Sequence, residues 1–339
     1  MIMGYGIWYL PVSEVKKKDD KRKKELAKWL KKHCGLKGEL SPISGDASFR
    51  RYFRVNDVIA VDSDPQTQKN NEFVTINKRL HTAGINTFKI LYQDIKQGFF
   101  VLEDLGDDTL LAHNGKADQK ELYKKAIDIL PKIAKINSSS FPPFDQKFVL
   151  DELHIFTEYT LEKTLRRRLS DYDQAVLKHV FLVLAQNCLD QKQVAMHRDF
   201  HSRNLMVRDD KLYVIDFQDM VCGPCLYDLA SLFYDCYLKL EPNMYRELLV
   251  YAFKTFADND MLDNISFENF IYQLKVTSLQ RHIKVLGIFC RLNIRDGKSG
   301  YLKDLPRVLD YVMHECDTDE LFLDFKEFLV NNVQGQLPE

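Results

Sequence analysis

Asp199, Asn204 and Asp216 lie close together in the stretch Val194 to Asp219, V-A-M-H-R-D-F-H-S-R-N-L-M-V-R-D-D-K-L-Y-V-I-D-F-Q-D. Two carboxylates and an amide of this kind suit phosphoryl transfer, whose loose and highly charged transition state asks the protein mainly to orient a nucleophile and hold Mg2+. One carboxylate takes the hydroxyl proton. The hard cation needs an amide carbonyl and a second carboxylate, with phosphate and water completing its shell. The order H-R-D-x-x-x-x-N followed by D-F assigns Asp199 as the base and Asn204 and Asp216 as metal ligands. A chance polar turn accounts for any one of these residues; two spaced motifs in the right order favour the chemistry.

The elements around them must bring the three side chains to one place. Two apolar runs, Asn204 to Val207 and Leu212 to Ile215, flank Arg208-Asp209-Asp210-Lys211 and read as strand, turn, strand. Upstream, Ile43 to Val55 is a small-residue turn followed by an alternating aromatic strand. Gly45, Asp46 and Ser48 there let backbone amides approach phosphate oxygens, as a lid over ATP. A second strand, Val58 to Val61, and a helix from Asn71 to Ala83 follow. The strand carries no lysine to pair with Glu72, so Arg50 or Arg51 is expected to supply the phosphate-binding charge. Gly98 to Leu102 reads as a strand that breaks into a hinge, where the Glu103 carbonyl and Leu105 amide are expected to read adenine; an ordinary strand exit looks the same.

From Gln119 the pattern turns helical, with Leu122, Ala126, Ile129 and Leu130 on one face. Phe148 to Leu169 is expected as one long helix with a solvated Arg166-Arg167-Arg168 end, Asp173 to Gln191 as another, and Asn293 to Gly300 as a loop. Tyr227 to Leu232 opens an apolar helix. Its acid, Asp228, needs a partner and is expected to brace the backbone of the catalytic loop.

At 339 residues and a formal net charge of −1, the chain has the size of one large core or two lobes and no overall attraction to nucleic acid or anionic lipid. The basic run Lys16 to Lys32, with Leu26, Trp29 and Leu30 at helical spacing, is expected as a surface helix, since no aromatic platform accompanies it. No run is long enough to span a bilayer, Met1 to Leu10 lacks a secretion-signal pattern, and seven cysteines suggest reduced thiols. A cytoplasmic protein without nucleic-acid or membrane partners is expected; protein partners stay open. Cys222-Gly223-Pro224-Cys225 has the spacing of a redox centre but follows Asp216 directly, where the active site should be shaped, rather than opening a βαβ helix.

His197, Asp199, His201 and Asn204, with Ile215-Asp216-Phe217, resemble the H-x-D-x-H-x-x-N and I-D-F signature of the aminoglycoside phosphotransferase and choline kinase superfamily. Gly45 to Arg54, Gln218-Asp219 with Gly223-Pro224 and Tyr227 to Ala230, and Leu279 to Phe289 are similar more closely to the anomeric sugar kinases of bacterial cell-wall recycling. The cysteines around Gly223-Pro224 and the segment Met1 to Asp20 depart from that likeness. The resemblance implies an α+β, two-lobe protein-kinase-like fold: an extension over 1–24, a small β-rich nucleotide lobe over 25–105 and a larger, mainly helical catalytic lobe over 106–339. It implies ATP and Mg2+ as cofactors, no need for the strand lysine, structural roles for His197 and His201, and transfer to the anomeric hydroxyl of N-acetylmuramate or N-acetylglucosamine. Donors for such a sugar are expected from Arg281, His282 and Lys284, although a solvated helix edge reads similarly. The rivals are a kinase for a cationic substrate, using Glu152, Glu158 and Asp219, and a nucleotide-binding scaffold without transferase activity.

Overall fold

Alternating residues in Arg51–Val55 and Val58–Asp62 pair as antiparallel strands, and a small sheet grows from them. The computed structural model describes residues 12–43 and 50–338, the side chains of 12–20 excepted. It divides into two units, one taking residues up to Thr75 with Phe88–Leu105, the other Ile76–Thr87 with the chain from Gly106 onward.

The first unit holds α1 (Val12–Trp29), β1 (Ser41–Ile43), β2 (Arg51–Val55), β3 (Val58–Asp62), the first turns of α2 (Asn70–Thr82), β4 (Ile90–Asp94) and β5 (Phe99–Glu103). Strand order is β1-β2-β3-β5-β4, antiparallel throughout. Phe99 to Leu102 are all buried because both faces of β5 are covered. Leu26, Trp29 and Leu30 of the basic run pack with Phe53, Val55, Phe99 and Val101 on one face. Phe73 of α2 meets Phe88 and Phe100 on the other. Helix α1 runs through residue 24, where an extension was expected to end, and its Arg22 forms an ion pair with Asp62 of β3.

The second unit holds α3 (Gln119–Ala134), α4 (Gln146–Ile155), α5 (Asp171–Leu189), β6 (Gln193–Met196), β7 (Leu205–Arg208), β8 (Lys211–Val214), β9 (Val221–Pro224), α6 (Tyr227–Phe233), α7 (Pro242–Asp258), α8 (Phe267–Asp296), α9 (Leu305–Glu315) and α10 (Leu323–Asn332). β6 pairs antiparallel with β9 and β7 with β8. The β7–β8 turn is Asp209-Asp210, at φ 50° and 56°, the left-handed pair that matches strand twist in a two-residue hairpin. The expected long helix from Phe148 differs: α4 ends at Ile155 and the wider π-helix Phe156–Thr164 follows. There α8 comes so close that a Cβ on Gly287 would lie 2.5 Å from the Ile155 carbonyl carbon, a distance only glycine tolerates. Helix α8 runs through Asp296 and stops at Gly297, φ +65°, so the loop expected from Asn293 starts later, at the first residue suited to a left-handed cap. Among the described residues no helix is long and apolar enough to cross a membrane.

Candidate active site

The chain leaves β6 at Met196 and enters β7 at Leu205, and the intervening loop carries most of the groups singled out from the sequence. Two buried aspartates at the ends of one short helix hold it. Asp228 in the first turn of α6 accepts the amides of His197 (2.6 Å) and Arg198 (2.8 Å). Asp235, just past the end of α6, accepts the Ser202 amide (2.8 Å) through one oxygen and the Tyr237 amide (2.8 Å) through the other. His197 donates from Nε2 to the Ile215 carbonyl (2.9 Å) and accepts the Asp199 amide at Nδ1 (3.3 Å), which joins the loop to the end of β8. These contacts keep Arg198 at φ +77°, a conformation that costs a non-glycine residue energy.

Asn204 donates from Nδ2 to the Asp199 backbone carbonyl (2.9 Å). That fixes its side-chain amide and leaves Oδ1 as an acceptor. Asp216 sits at φ +62°, with Gln218 Nε2 on one carboxylate oxygen (2.8 Å). Burial raises its pKa, and the neighbouring Asp199 and Asp219 carboxylates raise it further. Carboxylates that act on one another electrostatically, with the fixed amide of Asn204 on the adjoining loop, are the oxygen donor types that a hard divalent cation takes.

Asp199 is half-buried. Burial alone would raise its pKa, but Lys284, Arg198 and the two histidines bring it down to about 2, so it stays a carboxylate. The His201 pKa is lowered too, but by burial first and then Arg281, which favour its neutral ring over the pull of Asp235 and Asp199. It lies edge-on to Tyr237, with its Nε2 near the Asn204 amide.

Under the loop lies a buried ionic floor. Glu152 of α4, 6% exposed, accepts Arg198 Nη2 (2.6 Å) and Gln280 Nε2 (3.3 Å) and pairs with Lys284 Nζ (3.5 Å). Lys284 also donates to Tyr227 Oη (2.7 Å). Arg281 donates to the Tyr234 carbonyl (3.2 Å). The His282 ring lies 3.0 Å from both Glu315 oxygens through Nδ1 and donates to the Tyr234 carbonyl (2.8 Å) through Nε2. The solvated edge is thus ruled out for Arg281, His282 and Lys284, which are at most 3% exposed. Each bonds to protein groups, and their burial makes them part of the packed floor rather than an open wall. Glu152, offered above to a cationic substrate, is committed to two protein cations.

Of the residues expected to hold nucleotide, Gly45, Asp46 and Ser48 lie outside the described residues. Arg50 is buried, with its guanidinium over Phe73 and bonded to Ser63 Oγ (3.0 Å), and Arg51 is ion-paired with Asp62. Glu72 is exposed. Glu103 is the last residue of β5, so the Leu105 amide lies beyond that strand. Cys222 and Cys225 are free thiols on and just after β9, not at the start of a helix. Sequence reasoning missed Asp235, although an acid closing the apolar run Tyr227 to Phe233 carries the signal that marked Asp228.

The model of the phosphotransferase enzyme family matches residues 39–260. A curated relative from Pseudomonas aeruginosa, an N-acetylmuramate/N-acetylglucosamine kinase, is 37% identical over 88% of this chain and 89% of its own. Among solved structures, a choline/ethanolamine kinase family protein from Mesorhizobium loti superposes at TM-score 0.63 and 12% identity, over 90% of this chain and 99% of its own. The ADP-bound aminoglycoside phosphotransferase APH(2'')-Ib does so at 0.58 and 15%, over 85% and 97%. The α+β, protein-kinase-like fold expected from the sequence is therefore the one found.

Proposed function

We infer, from the premise that this chain belongs to the phosphotransferase enzyme family, that it is an ATP-dependent kinase of amino sugars, acting on the anomeric hydroxyl of N-acetylmuramate and N-acetylglucosamine. The relative named for those two sugars covers nearly the whole chain, and a protein of the same fold holds ADP. The observation that carries the chemistry is the bond from Asn204 Nδ2 to the Asp199 carbonyl, which ties the acceptor-facing carboxylate to the metal-facing amide on one braced loop.

In this reading Asp199 accepts a hydrogen bond from the acceptor hydroxyl, aligns it and takes its proton. A base of pKa about 2 suits a transition state in which bond breaking leads and the proton moves late. An anomeric hydroxyl, more acidic than an ordinary alcohol, eases the same step. Asn204 Oδ1 and Asp216 fit Mg2+, which when bound would offset the charge of the transferring phosphoryl group. Asp228 and Asp235 hold the loop in shape. The nucleotide contacts proposed are the segment around Gly45, Asp46 and Ser48, the Glu103 carbonyl and the Leu105 amide, with Arg50 and Arg51 supplying charge.

The test is ATP consumption against N-acetylmuramate, N-acetylglucosamine, choline and a set of aminoglycosides, with the product examined for loss of its reducing end. Sugar-dependent ADP release and a non-reducing product are expected. A reducing product would place the phosphate on another hydroxyl. Turnover with only the cationic substrates, or with none, would overturn the reading.

A further inference from the structure

Arg281, Lys284, Ile288, Arg291 and Arg295 recur at spacings of three and four along α8 and so share one side of that helix. The stripe begins beside the catalytic loop, since Arg281 and Lys284 both act electrostatically on Asp199. Lys284 is answered by Glu152, and Arg295 by Asp296 at 2.7 and 2.8 Å. Arg291 is not answered. It is half-buried, its Nε is sealed from solvent with no partner, and its guanidinium enters no hydrogen bond or ion pair among the described residues. Glu158, one of the nearest acids, is already bonded to Lys163 (2.5 Å). Burial, and then the like charge of Arg295, pull the Arg291 pKa below its usual value, the mark of a guanidinium that lacks an anion.

We propose that Arg291 determines specificity for the acceptor, pairing its guanidinium with a carboxylate on the sugar and so distinguishing N-acetylmuramate from N-acetylglucosamine. This rests on the functional reading above. The two sugars differ by a lactyl ether whose carboxylate is the only anionic group of either. Arg291 lies seven residues beyond Lys284, about 10 Å along the helix axis, on the order of one sugar ring and its substituent away from the cation whose charge acts on Asp199. A planar guanidinium binds a carboxylate through two parallel hydrogen bonds, which a neutral hydroxyl does not replace. Arg281, His282 and Lys284 were the first candidates for this role, but each is buried and bonded to protein groups; Arg291 is the next cation along the same stripe.

The experiment compares kcat/KM for the two sugars in the wild-type protein, Arg291→Gln and Arg291→Lys. Because a loss of folded enzyme scales both sugars equally, their ratio reads specificity alone. Arg291→Gln is expected to lower the N-acetylmuramate to N-acetylglucosamine ratio by about ten- to hundredfold, the range of a lost charge-assisted pair, mainly through KM. Arg291→Lys, which keeps the charge without the fork, should recover part of it. A wild-type enzyme active on both sugars whose Arg291→Gln variant keeps the ratio overturns this assignment alone. A wild-type enzyme that turns over neither sugar removes the functional reading and this assignment with it.

Discussion

Glu152→Ala takes away the single carboxylate that faces Arg198, Gln280 and Lys284 together. At 6% exposure, with partners at 2.6, 3.3 and 3.5 Å, Glu152 belongs with buried rather than surface ion pairs. The distinction decides the magnitude. A surface pair contributes about 0–1 kcal/mol, whereas removing one member of a buried pair costs about 3–5 kcal/mol because an unmatched charge stays behind. Here two cations would stay behind, of which Lys284 is at 4% side-chain exposure and Arg198 at 21%. For a unit of this size about 2–4 °C of Tm is lost per kcal/mol, so a fall of roughly 6–20 °C is expected by calorimetry. The second arm removes a stranded cation as well: Glu152→Ala with Lys284→Met should be milder than the sum of the singles, by about 0.5–3 kcal/mol of coupling. A single-variant shift under about 3 °C, or strict additivity in the double variant, would refute the view of Glu152 as the counter-ion of the floor.

Asp199→Asn keeps the shape of the site but removes the proposed proton acceptor. Its kcat is expected to fall by about 100- to 10,000-fold while nucleotide affinity, measured by titration, is retained; near-normal turnover would remove Asp199 from its role. His282 gives a pH signature. Burial would lower its pKa, but Glu315 outweighs burial and holds it up to about 10. With the folded value above the unfolded value of about 6.5, the pair stabilises fully below pH ~6.5, and the contribution is lost as pH rises through about 10. The Tm should therefore decline between pH 7 and 10 more steeply in the wild-type protein than in His282→Gln, and equal slopes would count against the pairing.

The candidate loop stood out in the sequence because the proposed chemistry restricts both residue type and spacing at Asp199, Asn204 and Asp216, and the fold sets the first two on one braced loop with Asp216 just past β8. Asp228 was legible for a different reason, that an acid in an apolar helix needs donors. The charges of α8 were not. Arg, His and Lys at successive helical positions look like a solvated edge until their partners are known, and those partners are far away in the chain: Lys284 meets Glu152 at a separation of 132 residues and His282 meets Glu315 at 33. Nothing local marks such pairing. The π-helix after Ile155 was hidden likewise, since one extra residue per turn leaves composition unchanged, and β6 and β9 are only four residues each.

The position of the staples joins these points. Arg198 at φ +77° and Asp216 at φ +62° are left-handed residues without the freedom of glycine, and each such conformation costs on the order of 1–3 kcal/mol. Such geometry persists only where surrounding bonds over-determine it. The loop around Arg198 is fixed from three directions: Asp228 and Asp235 at the two ends of α6 hold its amides, Glu152 on α4 holds the Arg198 guanidinium, and His197 bonds the Ile215 carbonyl one residue before Asp216. Helix α6 packs on α8, which carries Lys284 to Glu152 and to the charge environment of Asp199. A change at any of these buried partners should therefore act on turnover through the shape of the loop, even though none of them needs to touch the sugar or the nucleotide.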